Sequence, residues 1–135
     1  MEAMEVSKYR VSTPIVLNGV HDMTICGYSI NGGSASCIDL VNCNNIHITQ
    51  CELSNSEKLG ISLRQCTNVI IEDCQVDNVW GGVQSVNGYN VHVRNNAIRK
   101  IAPGGVMVKF ENTNIELMEI HNYSSDNDLP YHQHI

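Results

Sequence analysis

Asn45-Ile46-His47-Ile48, Asn68-Val69-Ile70-Ile71 and Asn90-Val91-His92-Val93 are copies of one short phrase. An earlier copy reads His21-Asp22-Met23-Thr24-Ile25, and a later one Thr113-Asn114-Ile115-Glu116-Leu117. The anchoring positions 22, 45, 68, 90 and 114 are separated by 23, 23, 22 and 24 residues. Self-similarity at such an interval points to stacked structural units rather than an ordinary globular core. Outward from Asn45, Ile46 and Ile48 alternate with His47 and Thr49, the period of a strand with one face buried. Gln50 bends the chain, Cys51 and Leu53 continue inward, and Ser54-Asn55-Ser56-Glu57-Lys58 makes a polar turn. Leu59-Gly60-Ile61-Ser62-Leu63 is a second alternating strand, after which Arg64-Gln65-Cys66-Thr67 returns the chain to Asn68.

The other turns repeat this order. After the bend, one inward column runs Ile30, Leu53, Val76 and Ile98, and the apolar pattern fails at Asn122. Inward pairs of the second strand read Ile38/Leu40, Ile61/Leu63, Val83/Ser85 and Val106/Val108, with a partial match at Ile15/Leu17. Gly60, Gly82 and Gly105 precede that strand, where a sharp backbone turn tolerates no side chain. One such turn cannot bury its own apolar residues, but stacking gives each strand a parallel neighbour above and below. No intervening segment carries a helical stripe, and a meander would need a hairpin turn between strands. The pattern predicts an all-β, single-stranded parallel β-helix (a solenoid) of about five short turns. It assigns 14–122 to the solenoid, 1–13 to an N-terminal lead-in or cap, and 123–135 to a tail or cap. Asp22, Asn45, Asn68, Asn90 and Asn114 form a column at one corner, where stacked amides can bond up and down and Asp22, without a donor when ionised, suits the terminal end.

Composition narrows the possible partners. The 135 residues suit one domain, and 42% hydrophobic with only 5% aromatic residues suits a narrow aliphatic core. The formal charge is −6, and Arg94, Arg99, Lys100 and Lys109 form no basic stripe, so neither nucleic acid nor an anionic membrane is expected. No apolar run is long enough to span a bilayer, and the first residues do not read as a signal peptide. Of six cysteines, Cys43 and Cys66 are equivalent by repeat, as are Cys51 and Cys74. Parallel strands hold such pairs about 4.8 Å apart, wider than a disulfide's Cβ separation of about 3.8 Å, so free buried thiols are expected. Free thiols favour a reducing, cytoplasmic compartment.

The phrases Asn45-Ile46-His47-Ile48, Leu59-Gly60-Ile61-Ser62-Leu63, Asn68-Val69-Ile70-Ile71, Gly82-Val83 and Gly105-Val106 resemble the right-handed parallel β-helix, or pectate-lyase-like, superfamily. The resemblance implies right-handed coiling, in proteins that cleave, epimerise or bind acidic polysaccharides or build fibres. Its enzymes carry long side loops that make a substrate groove, whereas the loops here are minimal.

Any site must lie on outward columns. Thr24, His47, Ile70, His92 and Glu116 form one; Cys26, Thr49, Glu72, Arg94 and Met118 form its neighbour. A third contains Asp39, Ser62, Gln84 and Met107, beside Val41, Arg64, Val86 and Lys109. No column stacks two acidic residues in succession, so no catalytic residue is assigned. Glu72 with Arg94, and His92, are candidates for a carbohydrate or subunit contact; so is Trp80, which can stack on a sugar or cover the core's shoulder. His47 and His92 lie two turns apart, roughly 9–10 Å, too far to share one zinc, so neither a metal nor a cofactor is expected.

Three functional readings stay open. The first is a noncatalytic module, structural or carbohydrate-associated, that acts through its surface and by homo-oligomerisation, with an acidic or neutral glycan as partner. The second is a small polysaccharide lyase, hydrolase or epimerase. The third is a fragment of a larger β-helix enzyme.

Overall fold

The computed structural model describes residues 8–113 and the backbone of Gln133–His134. Its strands, in chain order, begin with β1 (Arg10–Ser12), β2 (Ile15–Asn18), β3 (His21–Cys26), β4 (Tyr28–Gly33), β5 (Ile38–Val41) and β6 (Asn44–Thr49). They continue with β7 (Glu52–Arg64), β8 (Thr67–Glu72), β9 (Gln75–Val86), β10 (Tyr89–Arg94), β11 (Ala97–Ile101), β12 (Val108–Glu111) and β13 (Gln133–His134). Every pairing among them is parallel.

Three walls enclose the core. The first stacks β3, β6, β8 and β10. The second stacks β1, β4, the first halves of β7 and β9, and β11. The third stacks β2, β5, the second halves of β7 and β9, β12 and β13. The whole is a parallel solenoid of about four turns rather than five. The expected polar turn at Ser54–Lys58 is instead part of one continuous strand, β7, which rounds the corner through an irregularity between Ser56 and Leu59.

Register follows the sequence columns closely. Ile48 pairs with Ile71 and Ile71 with Val93, all fully buried. Ile30, Leu53, Val76 and Ile98 stack likewise in the second wall. Aliphatic side chains, mostly β-branched, fill such columns because each packs on a similar side chain one rung away.

The last described turn departs from the predicted register. Val83 pairs with Val108 and Ser85 with Phe110, not with Val106 and Val108. A tight turn at Ala102–Gly105 is the cause: the Gly105 N–H donates to the Ala102 carbonyl at 2.9 Å, and Gly104 has φ +85°. That turn lengthens the coil and shifts everything after it, so Met107, expected outward, is buried. Glycines in this corner are required by close approach rather than by a sharp turn. A Cβ at Gly60 would meet Val76 at 2.8 Å and the Gly82 carbonyl at 2.9 Å. At Gly82 it would collide with the Met107 carbonyl and the Ile98 side chain.

Corners are set by residues in the left-handed region. Asp22, Asn45, Asn68 and Asn90 occupy it, and so do Asn42, Gln65, Asn87 and Asn112 at a second corner. Gln50, Asp73 and Asn95 mark a third, with Gly27 below them. Asparagine tolerates positive φ better than other non-glycine residues, which explains its abundance here. The expected side-chain ladder exists in part: Asn45 Nδ2 donates to Asp22 Oδ1 and Asn90 Nδ2 to Asn68 Oδ1, each at 2.7 Å. Asn68 Nδ2 turns instead to Asn44 Oδ1 at 3.0 Å, so the chain of amides is stepped rather than straight. A second ladder, Asn78 to Asn55 to Asn31, runs beside the β7–β9 corner. Asn114, Asn122 and the side chains of 123–135 lie outside the described residues.

All six cysteines are free thiols. Cys66 Sγ faces the Leu40 and Arg64 carbonyls, both at 3.4 Å, and Cys74 Sγ the Ile48 and Glu72 carbonyls at 3.9 and 3.5 Å. They act as small apolar fillers whose weak S–H donors meet corner carbonyls. Burial pushes the Cys37 thiol up to about 11 and also raises Cys66.

Candidate functional site

Outward-facing residues of the first wall bring Glu72 and Arg94 together, as expected from their shared column. Arg94 Nε donates to Glu72 Oε1 at 2.9 Å. The other carboxylate oxygen meets His47 Nε2 at 2.7 Å. Three successive strands, β6, β8 and β10, are thereby joined across their outer face. The Arg94 guanidinium, then His47, holds the Glu72 carboxyl below the usual carboxylate range. A carboxylate with both oxygens occupied by donors is poorly suited to exchange a proton with a substrate. His92 stays apart from this cluster, with its Nε2 2.9 Å from Asn90 Oδ1. Among the described residues no three or more His, Cys, Asp or Glu side chains gather for a metal.

Trp80 lies on the other sheet, just past the corner that carries β9 from the second wall to the third. It is 39% exposed, while the flanking Val79 and Gly81 are buried, so its ring is presented at the surface. The Trp80 carbonyl sits where a Cβ on Gly105 would be, which lets the two segments pack closely. Trp80 borders a groove of about 420 Å³ together with Asp39, Glu57, Lys58, Ser62 and Arg64. Ser62 pairs directly with Asp39 in the wall, and Arg64 follows two residues on. One guanidinium nitrogen, Arg64 Nη2, straddles both Asp39 oxygens at 3.3 and 3.4 Å. This pair is longer and more exposed than the Glu72 cluster. A second groove, of about 430 Å³, follows the second wall along Glu52, Ser54, Gln75, Asp77 and Arg99. There Asp77 Oδ1 is buried with no hydrogen-bond partner.

Residues 12–129 match the family described as right handed beta helix region. The chain belongs to the right-handed β-helix family. Neither the curated proteins nor the solved structures contain a match to it. Family membership supplies the hand of the coil and accounts for the three parallel walls. It leaves the chemistry to the side chains on those walls.

Of the residues singled out by sequence, Glu72 and Arg94 meet, His92 is a neighbour without contact to them, and Trp80 occupies a separate groove. Two partners were missed. His47 reaches Glu72 and Arg64 reaches Asp39, both across 25 residues. That offset is one coil plus two positions, a diagonal contact that vertical columns of equivalent residues do not pair. Alternate residues on neighbouring strands lie within reach of long side chains, so the signal was present in the sequence.

Proposed function

We propose that this chain is a noncatalytic β-helix module that binds carbohydrate through the groove beside Trp80. The reading rests on one observation: an exposed indole borders the same groove as Asp39, Ser62 and Arg64. Sugar rings present an apolar face and a rim of hydroxyls, and this combination offers an aromatic plate with adjacent donors and acceptors. Rigid aromatic anchors carry a large share of the energy at such sites. On a glycan array, wild-type protein is expected to retain a defined set of oligosaccharides. Trp80→Ala should weaken their capture by at least about tenfold. Wild-type retention of none, or retention unaffected by the substitution, refutes the assignment. Release of product from a retained oligosaccharide would replace it with an enzymatic role.

Self-association is a second reading, favoured by the lowest rung. Val11 and Val16 are 88% and 67% exposed there, beside strands that have no neighbour beneath them among the described residues. Apolar side chains next to an open strand edge invite another copy of the chain.

A further inference from the structure

The charges around Trp80 bear on which class of glycan fits, a question that rests on the carbohydrate reading above. Asp39 and Glu57 face Arg64 and Lys58 in one groove, two charges of each sign. Such a lining has no net positive field to concentrate a polyanion. The chain as a whole carries −6, which repels one at long range. A uronate-rich chain would therefore meet neither local nor global attraction.

The Asp39–Arg64 pair offers something different. Because a single Nη2 spans both carboxylate oxygens at 3.3–3.4 Å, each oxygen keeps lone-pair capacity and the guanidinium keeps further N–H donors. Hydrogen bonds of that length are weak and exchange readily, in contrast to the 2.7 and 2.9 Å contacts that occupy Glu72. Acceptor and donor thus sit side by side, with the Ser62 hydroxyl in the next rung beside Asp39. Two adjacent hydroxyls on a sugar ring, each both donor and acceptor and about 3 Å apart, match this edge. The charged pair supplies stronger bonds than neutral partners would, without requiring a charge on the ligand.

We infer that the Trp80 groove selects neutral oligosaccharides, gripping a vicinal diol with the Asp39–Arg64 pair while the ring face lies on Trp80. The test is titration calorimetry of the full chain with neutral oligosaccharides and with uronic-acid oligosaccharides of equal length. Neutral ligands should bind, and their affinity should change less than about twofold between roughly 0.1 and 0.5 M salt. Asp39→Asn and Arg64→Lys should each reduce that affinity by about tenfold or more, since hydrogen bonds to charged groups are lost or misplaced. Melting curves for both variants check that they remain folded. Arg64→Lys keeps the charge and so separates the planar fork from simple electrostatics. Preference for uronic-acid ligands, with affinity that collapses in salt, overturns neutral selectivity while leaving carbohydrate binding intact. Neutral binding insensitive to both substitutions overturns the diol clamp. No binding by either class refutes carbohydrate recognition itself.

Discussion

Asn68 shows how one residue type serves two purposes at a solenoid corner. Its φ of +55° lies in the left-handed region, and its amide, exposed rather than buried, bonds to Asn44 and accepts from Asn90. Exposure makes the amide contacts worth little, so conformation dominates the residue's contribution. Asn68→Leu is expected to cost about 1–2 kcal/mol, the penalty of holding an ordinary L-residue at positive φ. Asn68→Gly should recover most of that loss, because glycine accepts this conformation freely. Chemical denaturation of the two variants checks this; equal losses would mean that the amide, not the backbone, matters. The repeated asparagines were legible in the sequence as a column, but their backbone conformation was not. Asn42, Gln65, Asn87 and Asn112 form a second such column in register, equally visible as residue types, whose positive φ only the structure shows.

Contacts between strands decide how the rungs are tied. Glu72 links β6, β8 and β10 through His47 and Arg94, and its carboxyl titrates below its ordinary value of about 4.5. A folded-state value below the unfolded one stabilises the protein above about pH 4.5, and the benefit disappears as pH falls through the lower value. Wild type should therefore melt higher than Glu72→Gln near neutral pH, with the difference shrinking on acidification below that point. Thermal melts across the acid range measure it, and a gap that widens toward low pH would contradict the assignment. Close packing at the β7–β9 corner makes a sharper prediction. Gly82→Ala should destabilise by about 1–3 kcal/mol, because its Cβ would press on the Met107 carbonyl and Ile98. Equilibrium unfolding reads this directly, and a neutral effect would show that the corner yields. The glycine positions were visible in the sequence, whereas the extra turn at Ala102–Gly105 was not. Aligning Gly105 with Gly82 kept a tidy repeat, yet the chain placed Val108 over Val83. Apolar residues at alternate positions, Val106, Val108 and Phe110, make either register satisfy the period, so pattern alone could not choose.

For the whole molecule, the architecture was readable because the same interval recurs in every column of the core. Its surface was less so, since function depends on diagonal neighbours and on which side chains a corner projects. The lowest rung carries the remaining prediction. If Val11 and Val16 draw a second copy, the molar mass in solution should rise with protein concentration. The Val11→Glu and Val16→Lys double variant should stay at 15.0 kDa by light scattering. A wild-type mass that never departs from the single-chain value removes the self-association reading.

Parallel pairing also gives assembly a direction. Within the described coils, β4, β5 and β6 each pair with an earlier strand, and β7 through β12 do the same over the successive turns that follow. When a newly synthesised strand leaves the ribosome, the surface it will bond to has already been made. The polypeptide can wind upward in the order of translation, each completed loop serving as the template for its successor.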